Sequence, residues 1–171
     1  MTILSGSFSF ELLSKQHDRT AFTCGNSILD QYLKAQSSQD HRKNLAAVFV
    51  CTQDGRTVLG YYTLSQYSVE LDQLPESLSR KLTKQKIVPS TLLGRLAVES
   101  NCQGQGIGSL LLIDALKRAY AGSQQIASWA VIVDAKDDQA VSFYRKYGFR
   151  SFQHHPFRLF LPMGTIEKLF C

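Results

Sequence analysis

The sequence predicts an α/β (α+β) fold, a mixed central sheet of about six or seven strands with helices on both faces. Three observations carry that prediction. Short apolar runs of strand character alternate with stretches of helical periodicity along the 171 residues. The run Arg95 to Leu116 reads as an apolar strand, a glycine-rich turn and a helix. Hydrophobic residues make up 44% of the chain with 11 glycines, which is ordinary globular composition, and no repeat or low-complexity tract interrupts it. Residues 1–171 are therefore read as one domain, long enough to bury a full core.

Taken in order, Phe8 to Leu13 alternates as a first short strand. His17 to Gly25 has loop composition. From Asn26 the pattern turns helical, with Ser27-Ile28-Leu29-Asp30 offering a Ser-x-x-Asp capping box, and with Ile28, Leu29, Tyr32 and Leu33 expected on one buried face to about Asp40. Ala46 to Thr52 and Thr57 to Val69 read as strands joined by the hairpin signal Asp54-Gly55. Pro75 to Lys84 reads as a short helix. Pro89 ends any helix there and opens the run into a buried central strand, Thr91 to Glu99, interrupted only by the charged Arg95.

Leu110, Leu111, Leu112, Leu116 and Ala119 predict a buried helix after the glycine turn, with Gly122 as its stop. Ile126 to Ala135 is the next strand. Asp137 or Asp138 caps a helix bearing Phe143 and Tyr144 that stops at Gly148. Phe149 to Phe152 and Arg158 to Leu161 pair as a closing hairpin with His154-His155-Pro156 in its turn, and Thr165 to Phe170 makes a last helical turn.

Composition narrows the function classes. No stretch approaches the roughly 18 apolar residues of a membrane span, and the N-terminus lacks a basic region followed by a long apolar run, so a cytoplasmic protein without membrane contact is expected. Cys24, Cys51, Cys102 and Cys171 have neither Cys-x-x-Cys nor zinc spacing, so free thiols and no metal are expected. The formal net charge of +5 and pI of 9.1 suit a polyanionic partner and equally suit a soluble basic surface.

The glycine turn carries the chemistry. Gln103-Gly104-Gln105-Gly106-Ile107-Gly108-Ser109 lets the backbone curl with its N–H groups inward, and the following helix aims its positive end at the same point, which makes an anion site. It lacks the terminal Lys-Ser/Thr of a nucleoside-triphosphate loop, and its third glycine comes one residue early for a dinucleotide fingerprint. The pattern met is Gln-x-x-Gly-x-Gly. It resembles the acetyl-coenzyme A loop of the GNAT acetyltransferases, and Ala140-Val141-Ser142-Phe143-Tyr144-Arg145-Lys146-Tyr147-Gly148-Phe149 resembles that superfamily's later helix.

That resemblance implies the GNAT fold and acetyl-CoA as cofactor. It implies that backbone groups of Leu96, Ala97 and Val98 take the pantetheine arm and that residues 103–109 take the pyrophosphate. Tyr144 matches the general acid beside the cofactor sulfur, and a phenol of pKa near 10 is protonated at neutral pH. Phe143 and Tyr144 are adjacent and cannot face the same way, so one belongs to the core. Glu99 is a candidate base acting through water or simply a loop carboxylate. His17, His41, His154 and His155 have no spacing that argues for catalysis.

Further stretches narrow the resemblance to the acetyltransferase toxins of type II toxin–antitoxin modules: Phe22 to Asn26 with Leu29 to Leu33, Gly60 to Leu64, Leu93 to Val98 and Leu159 to Met163. This implies acetylation of the amino group of aminoacyl-tRNA, a block on translation, a ribbon-helix-helix antitoxin through which operator DNA is reached, and room for a homodimer. Lys34, Arg42, Lys43, Arg80, Lys81, Lys84 and Lys86 are the candidate phosphate contacts; helix-end charge complementation and a solvated helix face are the competing explanations. An ester-bearing α-amine is substantially neutral near pH 7 without a strong base. Two departures stand out: Gln105 replaces a common Arg or Lys, and Asp137 replaces a common Asn. The rival functions are a housekeeping acetyltransferase for a small or protein amine, and a catalytically idle module acting through an antitoxin and DNA.

Overall fold

The computed structural model describes residues 6–82 and 87–170. Among them, seven strands form one sheet: β1 (Ser9–Leu12), β2 (Ala47–Thr52), β3 (Gly60–Glu70), β4 (Ile87–Val98), β5 (Ala130–Asp134), β6 (Arg150–Phe152) and β7 (His155–Pro162). Their order is β1-β2-β3-β4-β5-β7-β6. The β4–β5 pair is parallel and the β1–β2, β2–β3, β5–β7 and β6–β7 pairs are antiparallel, so the sheet is mixed, as expected. The chain divides into two compact units, Met1–Ser65 with Gly94–Ala115, and Gln66–Leu93 with Leu116–Cys171.

In the first unit the hairpin predicted at Asp54-Gly55 is present, with Cys51 opposite Gly60 and Val50 opposite Tyr61. Its strand β3 starts at Gly60 rather than Thr57, because Thr57 makes an isolated parallel bridge with Asp18 instead. The helical segment runs as α1 (Ser27–Gln31), a π-helical stretch Tyr32–Gln36, and α2 (Ser37–Arg42). Asn26, not Ser27, is the cap: its backbone is extended and its side-chain oxygen accepts from the Ile28 and Leu29 N–H groups at 3.0 and 3.2 Å. Asp30 reaches past the helix to the Cys24 N–H at 2.8 Å instead of closing a box on Ser27.

The core of this unit gathers Leu13, Phe22, Tyr32, Leu33, Val48, Val50, Val58, Tyr61 and Ala97, with Leu29 packed against it. Leu33 is fully buried, which contributes about 1.5–3 kcal/mol of hydrophobic stabilisation. Ile28 is 78% exposed, against the expectation that it shares the buried face. The widened turn explains the shift: a π stretch changes the angular step between residues, so the face set by Tyr32 and Leu33 does not continue back to Ile28.

The second unit holds the N-terminal part of β4, β5, β6 and β7, with Thr91, Leu92 and Leu93 opposite Val131, Ile132 and Val133. Its core joins Val69, Leu74, Ala130, Ile132, Phe152 and Phe160, with Trp129 and Leu92 packed against them. Several boundaries move. Strand β5 begins at Ala130, and Ile126 stands 66% exposed in the preceding loop, because an apolar residue without a ladder partner does not make a strand. Strand β4 begins at Ile87 and contains Pro89, whose carbonyl accepts from the Trp129 N–H at 2.8 Å. Gly122 lies inside α4 (Ile107–Ser123) rather than after it. Leu110 is 38% exposed although Leu111, Leu112 and Leu116 are buried. His155 and Pro156 belong to β7, and the last helix, α6 (Met163–Phe170), is two turns long. The short helix α3 is Glu76–Leu82.

Candidate active site

In the first unit β4 ends in Leu96, Ala97 and Val98, of which Ala97 is 5% exposed and packed in the core. The chain then turns sharply. Glu99 donates its backbone N–H to Leu59 O at 2.9 Å, and its carboxylate accepts from the Asn101 N–H at 2.7 Å, capping a 3-10 turn over Ser100–Cys102. That use is local and structural. Gln103 follows, its side-chain amide donating to Cys24 O at 2.8 Å and Val98 O at 2.9 Å. One side chain thus fixes the start of the glycine loop against both the strand it left and the loop before α1.

Gly104 and Gly106 have φ of +78° and +86°, the left-handed region that a side chain strains. An added Cβ would meet nothing within 4 Å at either position, so these glycines serve the turn and leave space in front of it. Helix α4 begins at Ile107, and its first backbone bond runs from the Leu110 N–H to Gly106 O at 3.1 Å. The N–H groups of Ile107, Gly108 and Ser109 precede that bond, and no side chain among the described residues accepts from them. A left-handed turn feeding a 17-residue helix with free first-turn donors has the chemistry of an anion-binding turn.

The turn is held from behind. Ile107 is 1% exposed, Leu111 is fully buried, and a Cβ on Gly60 would stand 3.0 Å from Ala97 O and 2.8 Å from Leu111 Cδ1. Gly60 therefore permits the close approach of β3, the end of β4 and the first turns of α4. In sequence Gly60 carries only a family-like stretch, and its packing role comes from neighbours distant along the chain.

Tyr144 belongs to the second unit, on α5 (Asp138–Arg145). Asp137 is its cap, extended in backbone and accepting from the Ala140 N–H at 2.8 Å, as expected of one of the two aspartates. Gly148 turns the chain at φ +95°, and the Phe149 N–H returns to Tyr144 O at 3.4 Å. Tyr144 is 7% exposed, with the rings of Phe143 and Phe149 edge-on at 5.2 and 5.4 Å. Phe143 is half-buried, so of the adjacent pair Tyr144 is the deeper. Burial pushes its phenol well above the ordinary value, which keeps the hydroxyl protonated, and among the described residues that hydroxyl has no hydrogen-bond partner.

The candidate phosphate contacts are scattered. Lys34, Arg42 and Lys43 are exposed on the π stretch and at the end of α2 in the first unit. Arg80 and Lys81 are exposed on α3 in the second, where Arg80 pairs with Glu76 one turn back. Lys84 and Lys86 lie outside the described residues. His41 is absorbed by the fold, its Nδ1 accepting from the Val48 N–H at 3.1 Å. His17 is 5% exposed and hydrogen-bonds to Glu11 at 2.7 Å. Cys24, Cys51 and Cys102 are buried and form no disulfide among the described residues, and burial pushes the Cys51 thiol up to about 12, far from a nucleophile. Among the described residues no cluster of His, Cys, Asp and Glu could hold a metal, and no helix is long and apolar enough to cross a membrane.

Comparison with known proteins fits this geometry. The family model for the acetyltransferase (GNAT) domain matches residues 44–151. A protein of Mycobacterium tuberculosis (strain ATCC 25618 / H37Rv) named tRNA-acetylating toxin is 35% identical over 166 residues, covering 97% of this chain and 98% of that one. The structure of AtaT complexed with acetyl-methionyl-tRNAfMet is similar at a TM-score of 0.89 and 30% identity, covering 96% of this chain and 100% of the other. A mutant AtaT toxin bound to the C-terminus of the antitoxin AtaR and acetyl-CoA is similar at a TM-score of 0.81 and 28% identity, covering 95% and 98%. With a family match over more than half its length and a relative of this identity over nearly all of it, the chain belongs to the GNAT acetyltransferase family.

Proposed function

We propose that residues 1–171 form one N-acetyltransferase domain that moves an acetyl group from acetyl-CoA to the α-amino group of aminoacyl-tRNA, and that this makes the protein a toxin of translation. The observation that carries the cofactor half is the cradle at Gly104 and Gly106 with its free helix N–H groups. The substrate half rests on likeness along nearly the whole chain to a tRNA-acetylating toxin.

Acetyl-CoA supplies the activated acyl group as a thioester. The N–H groups of the loop and of Ile107, Gly108 and Ser109 bind the pyrophosphate, and Gln103 holds the loop in position. Backbone groups of Leu96, Ala97 and Val98 take the pantetheine arm. The substrate amine forms the new C–N bond as the C–S bond breaks, and it loses a proton to solvent. Tyr144 gives its proton to the departing sulfur and regains one from water, a role its protonated, unpartnered hydroxyl suits. Lys34, Arg42, Lys43, Arg80, Lys81, Lys84 and Lys86 are the phosphate-facing candidates. A ribbon-helix-helix antitoxin that bridges to operator DNA, a homodimer and a cytoplasmic site of action complete the reading.

The Arg80–Glu76 pair favours a second reading, a small or protein amine as acceptor, because a guanidinium already neutralised on α3 offers less to a phosphate. A thiol-release assay with charged tRNA, uncharged tRNA and small amines separates the two. Release only with charged tRNA, and an acetylated aminoacyl end in the product, is the expected result; turnover with amines alone favours the second reading. In the same assay Tyr144→Phe is expected to slow turnover by about a hundredfold while leaving acetyl-CoA affinity intact. Unchanged turnover, with chemistry rate-limiting, removes Tyr144 from the acid role.

A further inference from the structure

We infer that Arg95 is a substrate-contacting residue that holds a phosphodiester near the acceptor end of the tRNA, with the ring of Tyr32 as its platform; this inference rests on the tRNA reading above. In sequence Arg95 is the charge that interrupts an apolar strand, inside the toxin-like stretch Leu93 to Val98. In the structure its guanidinium carbon lies 3.5 Å from the centroid of the Tyr32 ring, a face-on cation–π stack. Tyr32 is 5% exposed and stacks in turn on Tyr61 at 6.3 Å, so the platform is part of the core and cannot swing away. Its hydroxyl donates to Asp40 at 3.0 Å, and burial raises its pKa to about 12, so the ring stays neutral under the cation.

The guanidinium itself is unspent. Arg95 is half-buried, yet among the described residues it makes no side-chain hydrogen bond and no ion pair. The carboxylates around the same two tyrosines are engaged by other groups: Asp40 by the Tyr32 hydroxyl, and Asp30 by the Cys24 N–H and Thr23 hydroxyl. A half-buried cation with five N–H donors and no acceptor is costly to keep unless a ligand supplies one. The stack uses the flat face and leaves the fork of donors at the edge, which is the geometry that grips a phosphate in two places.

Position supports the same conclusion. Side chains two apart on a strand share a face, so Arg95 stands on the face of Ala97, about 6.6 Å back along β4. Ala97 is one of the three residues assigned to the pantetheine arm, and its face is the one packed by α1 and the π stretch. Lys34, Arg42 and Lys43 are exposed along that same helical segment. Arg95 would therefore anchor the end of the acceptor strand next to the thioester, with those cations following the backbone outward.

The test compares wild type with Arg95→Met and Arg95→Lys using charged tRNA and acetyl-CoA. Arg95→Met is expected to raise the KM for charged tRNA about tenfold or more and to flatten the log–log salt dependence of that KM by about one unit, with acetyl-CoA affinity by calorimetry unchanged. Arg95→Lys keeps the charge without the planar fork and is expected to restore only part of the affinity. A wild-type KM in Arg95→Met overturns the inference, and so does an equal loss of acetyl-CoA affinity and melting temperature, which marks a purely structural stack. Should Arg95→Met fail to fold, Arg95→Lys decides, and a wild-type KM there overturns it. A wild type that ignores charged tRNA sinks the tRNA reading and this inference together, whereas an active wild type matched by Arg95→Met sinks this inference alone.

Discussion

Two glycine turns in the first unit look alike in sequence and do opposite things. At Asp54-Gly55 and at Gly104 to Gly106 the backbone enters the left-handed region, at φ +77°, +78° and +86°, and at all three glycines an added Cβ would meet open space. The hairpin turn closes on itself. Asp54 accepts from the N–H groups of Thr57 and Arg56 at 2.7 and 2.8 Å, and the Thr52 hydroxyl takes the Gly55 N–H. The Gln103 loop does the reverse, because the amides of Gln103 and Gln105 donate to carbonyls and leave the helix N–H groups unclaimed. A left-handed glycine therefore marks a turn; whether the turn is a site depends on which side chains return to satisfy it.

The largest effect expected from this contrast is in the paired variants Gly106→Val and Gly55→Val. Each forces a β-branched side chain into left-handed backbone, costing about 1–2 kcal/mol of strain. Only Gly106→Val should weaken acetyl-CoA binding, by about tenfold or more, as calorimetry would read. Equal cofactor affinity in the two variants would mean the loop is an ordinary connection.

Next in size is Gly60→Ala, which sharpens the comparison by attacking the support of the open turn. The new methyl meets a backbone carbonyl that cannot step aside, so overpacking of about 1–3 kcal/mol is expected as a lower melting temperature. An unchanged melting temperature would show that α4 can shift freely. A smaller change is expected from Gln103→Met, which removes two hydrogen bonds of about 1 kcal/mol each and should loosen acetyl-CoA a few-fold while turnover at saturating cofactor holds. Loss of turnover instead would place the amide closer to the chemistry.

The smallest concerns the closed turn and pH. Hydrogen bonds from Thr57 and Arg56 hold the Asp54 carboxyl well below the usual carboxylate range. A carboxyl depressed in the fold stabilises above its unfolded pKa of about 3.9 and loses that contribution as pH falls. The stability gap between wild type and Asp54→Asn should be widest near neutral pH and shrink below about pH 4, with acetyl-CoA binding at pH 7 unchanged. A gap constant across that range would count against the carboxylate as the source.

What the sequence determined by itself was whatever depends on neighbours along the chain. Left-handed glycines, a helix cap at Asp137 or Asp138, the Asp54-Gly55 hairpin and the strand–loop–helix order around the glycine turn are short-range features, so the residues there specify the backbone directly. The family pattern singled out Tyr144 as the acid candidate, but alternation says only that Phe143 and Tyr144 differ, and the structure made Tyr144 the deeper of the two. Only the tertiary structure decided the rest. Gln103 meets Cys24 O across 79 residues, Gly60 is required by a carbonyl and a leucine on other elements, and β7 inserts between β5 and β6. The π stretch turned Ile28 outward, and Arg95 acquired a platform from a helix far earlier in the chain. Those outcomes depend on which faces meet across the fold, and periodicity gives each element's faces without naming their partners.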